Sequence, residues 1–131
     1  MAYAARLRWA PFLLGALISI GLSFEAPLGR KPFRIDWDVS WASLEFSLFK
    51  EPHIGASALI GMLAVVAVRR SRWWLALLLA VAVGWGWEMA QTTVIGHSAR
   101  LADLLPDAIG AAVGVLWGAA MLWLAERIKD E

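Results

Sequence analysis

Residues 73–95 read WWLALLLAVAVGWGWEMAQTTVI, an apolar run whose one carboxylate, Glu88, and one side-chain amide, Gln91, both fall near its end. A helix needs about 20 residues to cross a hydrocarbon core ~30 Å thick, so this stretch is long enough outright. In lipid its backbone polar groups must be satisfied within the segment, which dictates an α-helix. Working outward, Asp107 to Ala125 is a second full-length run, while His53 to Val68 and Trp9 to Phe24 are shorter and need flanking residues or local thinning to reach across. The expected fold is all-α: an integral membrane bundle of four transmembrane helices, over about 9–24, 53–68, 73–95 and 107–125, in one domain covering 1–131.

Composition agrees with this reading. Of 131 residues 60% are hydrophobic and 18% charged, with nine Trp and no Cys, and the mean hydropathy is +0.63. A soluble domain carries roughly 45–50% apolar and 25% charged residues. A formal net charge of +1, without basic patches interleaved with aromatics, gives no footprint for a nucleic-acid partner. The lack of Cys removes disulfide, thiolate and Cys-ligated metal chemistry together.

Arg69, Arg70 and Arg72 between the second and third runs are the densest basic group, which places that turn in the cytoplasm. Arg6 and Arg8 before the first run, and Arg127 and Lys129 after the last, then lie on the same side, giving both termini inside. The outer loop carries Arg30, Lys31, Arg34 and Lys50 against this bias. Trp9, Trp73, Trp74 and Trp123 cluster at the inner interface, where indoles sit at headgroup depth. Arg6 and Arg8 ahead of the first run also resemble a secretory signal, but Leu22-Ser23-Phe24-Glu25-Ala26 lacks the small residues of a cleavage site, so an uncleaved anchor is expected.

In the first outer loop Trp37, Trp41, Leu44 and Leu48 recur at helical spacing, with Asp36 available as N-cap. This predicts a short amphipathic helix, either lying at the membrane interface or packed on the bundle as a lid. Pro52 fits the first turn of the following span.

The polar residues gather at the outer ends of the last three spans: His53, Glu88, Gln91, His97, Arg100, Asp103 and Asp107. Glu88 and Gln91 share a helix face with Gly84, and Asp107 shares one with Gly110, Gly114 and Gly118. That glycine series is a doubled G-x-x-x-G, which lets a second backbone approach and offers a contact for a homo- or hetero-oligomer. An ionised carboxylate at a membrane helix centre is penalised by ~2.5–3.5 kcal/mol, so Glu88 must be paired, hydrated or protonated, and intramembrane ionisable groups are functional by default. Asp103 suits the N-cap of the last helix and can pair with Arg100 three residues before it, while His97 reads as a solvated loop residue.

Taken in order, Lys50-x-x-His53 opening a span, Glu88-x-x-Gln91 closing the next, a turn with Gly96 and Arg100, then Asp103, Asp107 and Gly110-x-x-x-Gly114 opening the last span resemble the VanZ-like family. The resemblance covers roughly residues 50–118. It implies a small multi-pass protein of the bacterial cytoplasmic membrane, and it links the chain to glycopeptide resistance of the teicoplanin type without defining a reaction. Three positions depart from the family pattern: Phe49 stands where an Asp is usual, Asp107 where an Asn is usual, and Arg100 is nearer to the following Asp. An acid in place of an amide adds a proton carrier or cation ligand to the site.

Three classes of function follow. In the leading one the outer cluster binds or processes a cell-envelope component, a lipid-linked glycan or lipid headgroup, with membrane lipids as partners. In its enzymatic form Glu88 or Asp107 is the general base and His53 a proton donor or acceptor, while Gln91, Arg100, Asp103 and Lys50 hold the ligand. The second is a scaffold or assembly subunit joined through the glycine seam. The third is a proton-coupled transporter, disfavoured because no ionisable residue lies in the inner half of any span. No cofactor is implied, no metal-binding spacing such as H-E-x-x-H occurs, and neither Thr92 nor Ser98 sits in a nucleophile turn.

Overall fold

The computed structural model describes residues 7–24 and 34–129. Arg6, Glu25, Ala26, Arg30 and Lys31, which entered the charge and cleavage arguments, lie outside the described residues. The described chain forms five α-helices: α1 (Ala10–Leu22), α2 (Trp41–Leu48), α3 (Glu51–Val68), α4 (Trp73–Gln91) and α5 (Leu104–Lys129). Two short extended segments, β1 (Ile35–Asp36) and β2 (Ala99–Arg100), pair in parallel, with Ile35 opposite Ala99 and Asp36 opposite Arg100. The fold is all-helical apart from this pairing.

Three helical segments are long and apolar enough to cross a membrane: Glu51–Val68, Arg70–Gln91 and Leu101–Lys129. The expected first span is shorter than its apolar run. The 13 residues of α1 rise about 20 Å, well short of a hydrocarbon core. It packs against α3 and α4, burying Phe12, setting Gly15 against Leu63 and placing Ile20 against Gly86.

The core lies where α3, α4 and α5 meet, and it is built from small residues. Ala64, Ala67, Ala76, Ala80 and Ala111 are buried with Val65, Val83 and Val115. The most extensive contact is between α3 and α5. A Cβ on Gly110 would overlap the Ile54 carbonyl, one on Gly114 the Ala58 carbonyl, and one on Gly61 the Ala111 carbonyl. Glycine on both helices therefore brings the two backbones together. The seam offered as an oligomer contact is occupied by α3 of the same chain.

The helices alternate in direction. The turn after α3 and the end of α5 meet through Arg70 and Glu126, 3.2 Å apart, so the arginine turn and the C-terminal end share one end of the bundle. The starts of α3 and α5 and the end of α4 share the other, where the ionisable residues of the spans collect. Arg69 turns the chain at φ 75°, an unusual conformation for a residue with a Cβ.

Candidate functional site

Three buried carboxylates anchor the polar end, each bonded to a different element. Asp103 accepts from Ser47 Oγ on α2 at 2.7 Å and from Lys50 Nζ at 2.5 Å. Asp107, in the first turn of α5, accepts from Ser57 Oγ at 2.9 Å and lies 3.2 Å from His53 Nδ1, both on α3. Glu88, at the end of α4, accepts the Arg100 backbone N–H at 2.8 Å. Glu88 and Asp107 are both 0% exposed. Each keeps one oxygen, Glu88 Oε1 and Asp107 Oδ2, buried without a protein partner among the described residues. Such orphaned acceptors are rare in folded proteins because desolvation goes uncompensated.

The backbone explains how Asp107 reaches so deep. A Cβ on Gly84 would stand 2.5 Å from Asp107 Oδ2, so the bare α4 backbone gives the carboxylate its space. Ser57 lies one helical turn after His53, and both present to the same carboxylate from one face of α3.

Arg100 does not pair with Asp103. Its Nη2 donates to Ser43 Oγ at 2.9 Å, its Nε lies 3.5 Å from Asp36 Oδ2, and its guanidinium sits 5.0 Å from the Phe46 ring centroid. A spacing of three aligns side chains on a helix, but Arg100 belongs to β2 and Asp103 to the turn after it, so Lys50 takes the acid instead. Nor is Asp103 spent capping α5; its oxygens hold α2 and the start of α3. Asp36 does not cap α2 either. It lies in β1 and accepts the Asp38 N–H, while Ser40 is the cap and accepts from the Ser43 N–H. The Ser40 N–H also bonds Asp38 and holds that exposed carboxyl below the usual carboxylate range.

The docking face of α2 is its serines. Ser43 and Ser47, four apart, are buried on Arg100 and Asp103, whereas Trp41 is 78% exposed and Trp37, outside the helix, is exposed as well. The tryptophans of the apolar stripe read from the sequence therefore point away from the bundle, while Leu44 is half-buried. Ser43, Ser47 and Ser57 were missed as site residues, although the four-residue spacings 43–47 and 53–57 are the signal that marks them.

Beside the cluster lies an open cavity of about 230 Å³ between α1, α3 and α4. Ser19 and Ser23 line it from α1 and the turn after it, His53 and Ala56 from α3, and Trp87 and Gln91 from α4. The His53 and Trp87 rings meet edge to face, with centroids 5.9 Å apart. Trp87 Nε1 is buried without a protein partner among the described residues. His53 thus connects the cavity to Asp107, and a carboxylate on Nδ1 is the arrangement that fixes an imidazole for proton transfer through Nε2.

Of the site residues expected from sequence, His53 and Gln91 reach the cavity, Glu88 and Asp107 stand buried, and Lys50, Arg100 and Asp103 are tied to other side chains. His97 is exposed in the turn before β2. Among the described residues no group of three or more His, Asp or Glu converges as a metal-binding set. No family model, curated protein or solved structure matches the chain.

Proposed function

We propose that this is a membrane protein with an outward-facing polar end that binds or processes a cell-envelope component, a lipid-linked glycan or lipid headgroup. The observation that carries the reading is the cavity walled by His53, Trp87 and Gln91, with Asp107 fixed behind His53. Ligand sites combine apolar walls with a few placed polar groups, and this small, open cavity has that mixture of linings. In the proposed topology the arginine turn at 69–72 is cytoplasmic, α1 makes a fourth, shallow crossing, and both termini lie inside. The likeness to the VanZ-like family supports a bacterial envelope role and extends the proposal to teicoplanin-type resistance.

In an enzymatic form, His53 is the proton acceptor and Asp107 holds its ring. Glu88 is then the residue that positions the 88–100 turn through the Arg100 N–H, so it supports the site from behind. The scaffold reading loses its main support, since the glycine seam is filled within the chain.

Native mass spectrometry of gently solubilised wild type beside Glu88→Gln and Gln91→Ala tests the proposal. A specific lipid or lipid-linked glycan should co-purify with wild type and be lost from both variants at unchanged membrane abundance. The same unselective lipid in all three would refute a recognition site.

A further inference from the structure

At the opposite end of the bundle a second cavity, of about 240 Å³, opens between α4 and α5. Trp73, the first residue of α4, walls it on one side, and Val115, Leu116 and Ala119 wall it on the other from within one turn of α5. The space is there because Ala119 is small. Both helical segments are long and apolar enough to cross a membrane, and Leu116 and Trp73 are exposed at the rim, so the groove opens toward lipid. Its lining is apolar except for Arg70 of the arginine turn.

In a bilayer the apolar lining selects nothing, since every acyl chain is as apolar as leucine. Selection comes from Arg70. A guanidinium presents five N–H donors in a fork that matches a phosphate, and among the described residues the one carboxylate within ion-pair distance of the arginine turn is Glu126, 3.2 Å from Arg70 Nη2. Both partners of that pair are exposed, so it is weak, and it leaves further donors of the fork to a ligand. Arg69 and Arg72 flank Arg70, and no acid occurs in the sequence between Glu51 and Glu88, so the start of α4 contributes positive charge alone. At the end of α5, Arg127 and Lys129 stand against Glu126, Asp130 and Glu131 in the sequence, and the arginine turn therefore sets the sign. A zwitterionic headgroup carries a phosphate too, but it also sets an ammonium among the arginines. An anionic headgroup brings no such repulsion.

We infer that the groove between α4 and α5 holds an acyl chain of an anionic phospholipid, with the lipid phosphate on Arg70. Basic pockets between membrane helices hold anionic headgroups in this way, and Trp73 stands at the depth where indoles meet headgroups. The site is separate from the cavity around His53, and the assignment does not depend on the envelope-ligand reading.

The full chain, reconstituted in nanodiscs of equal parts phosphatidylglycerol and phosphatidylcholine with matched acyl chains, tests this. After release into the gas phase, the lipids retained on the protein are counted by class. Phosphatidylglycerol should be retained about tenfold over phosphatidylcholine. Arg70→Gln, at an exposed position where folding is not at stake, should lower that ratio about fivefold, the change that ~1 kcal/mol for one arginine near a membrane surface produces. Arg34→Gln removes the same charge at the other end and should leave the ratio as in wild type. Ala119→Leu fills the groove without altering charge and should reduce the phosphatidylglycerol retained per protein. Equal retention of the two lipids by wild type overturns the anionic assignment. A ratio that falls as far in Arg34→Gln as in Arg70→Gln overturns the site in favour of overall charge. Undiminished phosphatidylglycerol on a folded Ala119→Leu protein overturns the groove, as does a lipid-free dimer of the wild type.

Discussion

Toward α5, helix α3 is packed so closely that no side chain fits at the crossing points; toward α1, the same helix leaves an open cavity of about 230 Å³. The closed side is made of backbone against backbone at Gly110, Gly114 and Gly61. The open side is made of imidazole, indole, amide and hydroxyl groups around His53. Asp107 ties the two together, since it sits at the mouth of the glycine seam and bonds His53 and Ser57 on α3. A rigid seam fixes the ring of His53, and a looser α1 leaves space in front of it. Sites built on packed helices hold their geometry in this way better than sites on loops.

The seam can be broken outright. Gly114→Leu should have the largest effect, because even a Cβ there overlaps the Ala58 carbonyl and the two helices must separate. Overpacking costs typically ~1–3 kcal/mol and more where backbone must move. The expected outcome is loss of monodisperse protein on detergent size-exclusion chromatography.

Asp103→Ala comes next, as it strips Lys50 and Ser47 of their partner at once. Removing one member of a buried pair costs about 3–5 kcal/mol, discounted here because Lys50 is 28% exposed. A double variant, Asp103→Ala with Lys50→Met, should recover part of the loss in a thermal-melt double-mutant cycle. Equal additivity would contradict the pairing.

Gly84→Ala tests the joint between the two sides. Its added Cβ would stand 2.5 Å from Asp107 Oδ2, so the carboxylate must shift and take His53 with it. A loss of about 1–3 kcal/mol is expected, with the His53 imidazole resonances displaced in NMR spectra. The smallest effect belongs to Gly55→Ala on an exposed face of α3, outside both the seam and the cavity. Nothing lies within 4 Å of a Cβ there, and the gain in helix propensity should raise the melting temperature slightly.

Much of this was legible in the sequence. The three helices long and apolar enough to cross a membrane follow from apolar runs, whereas the expected first span gives only the 13-residue α1, and burial of Glu88 and Asp107 follows from their sharing faces with Gly84 and with the Gly110 series. Pairings across elements were not legible. Arg100 and Asp103 are near in sequence, but a change from strand to turn between them sends each to another partner. The face of α2 stayed open between the membrane interface and the bundle for a similar reason: hydrophobic periodicity reports which residues avoid water without naming what covers them. Its serines, silent in a hydropathy reading, make the tertiary contacts. The cavity was invisible because Ser19 and Ser23, although four apart on one face, meet Trp87 only when α1 folds onto α4.

Filling the cavity tests the central claim most directly. Ala56→Trp places an indole on the open side of α3, away from the seam, and the retained lipid of the purified protein is then counted by native mass spectrometry alongside wild type. The account expects the specific lipid to be lost while the thermal transition and the chromatographic profile stay as in wild type. Undiminished retention of the same lipid in a folded Ala56→Trp protein would contradict it.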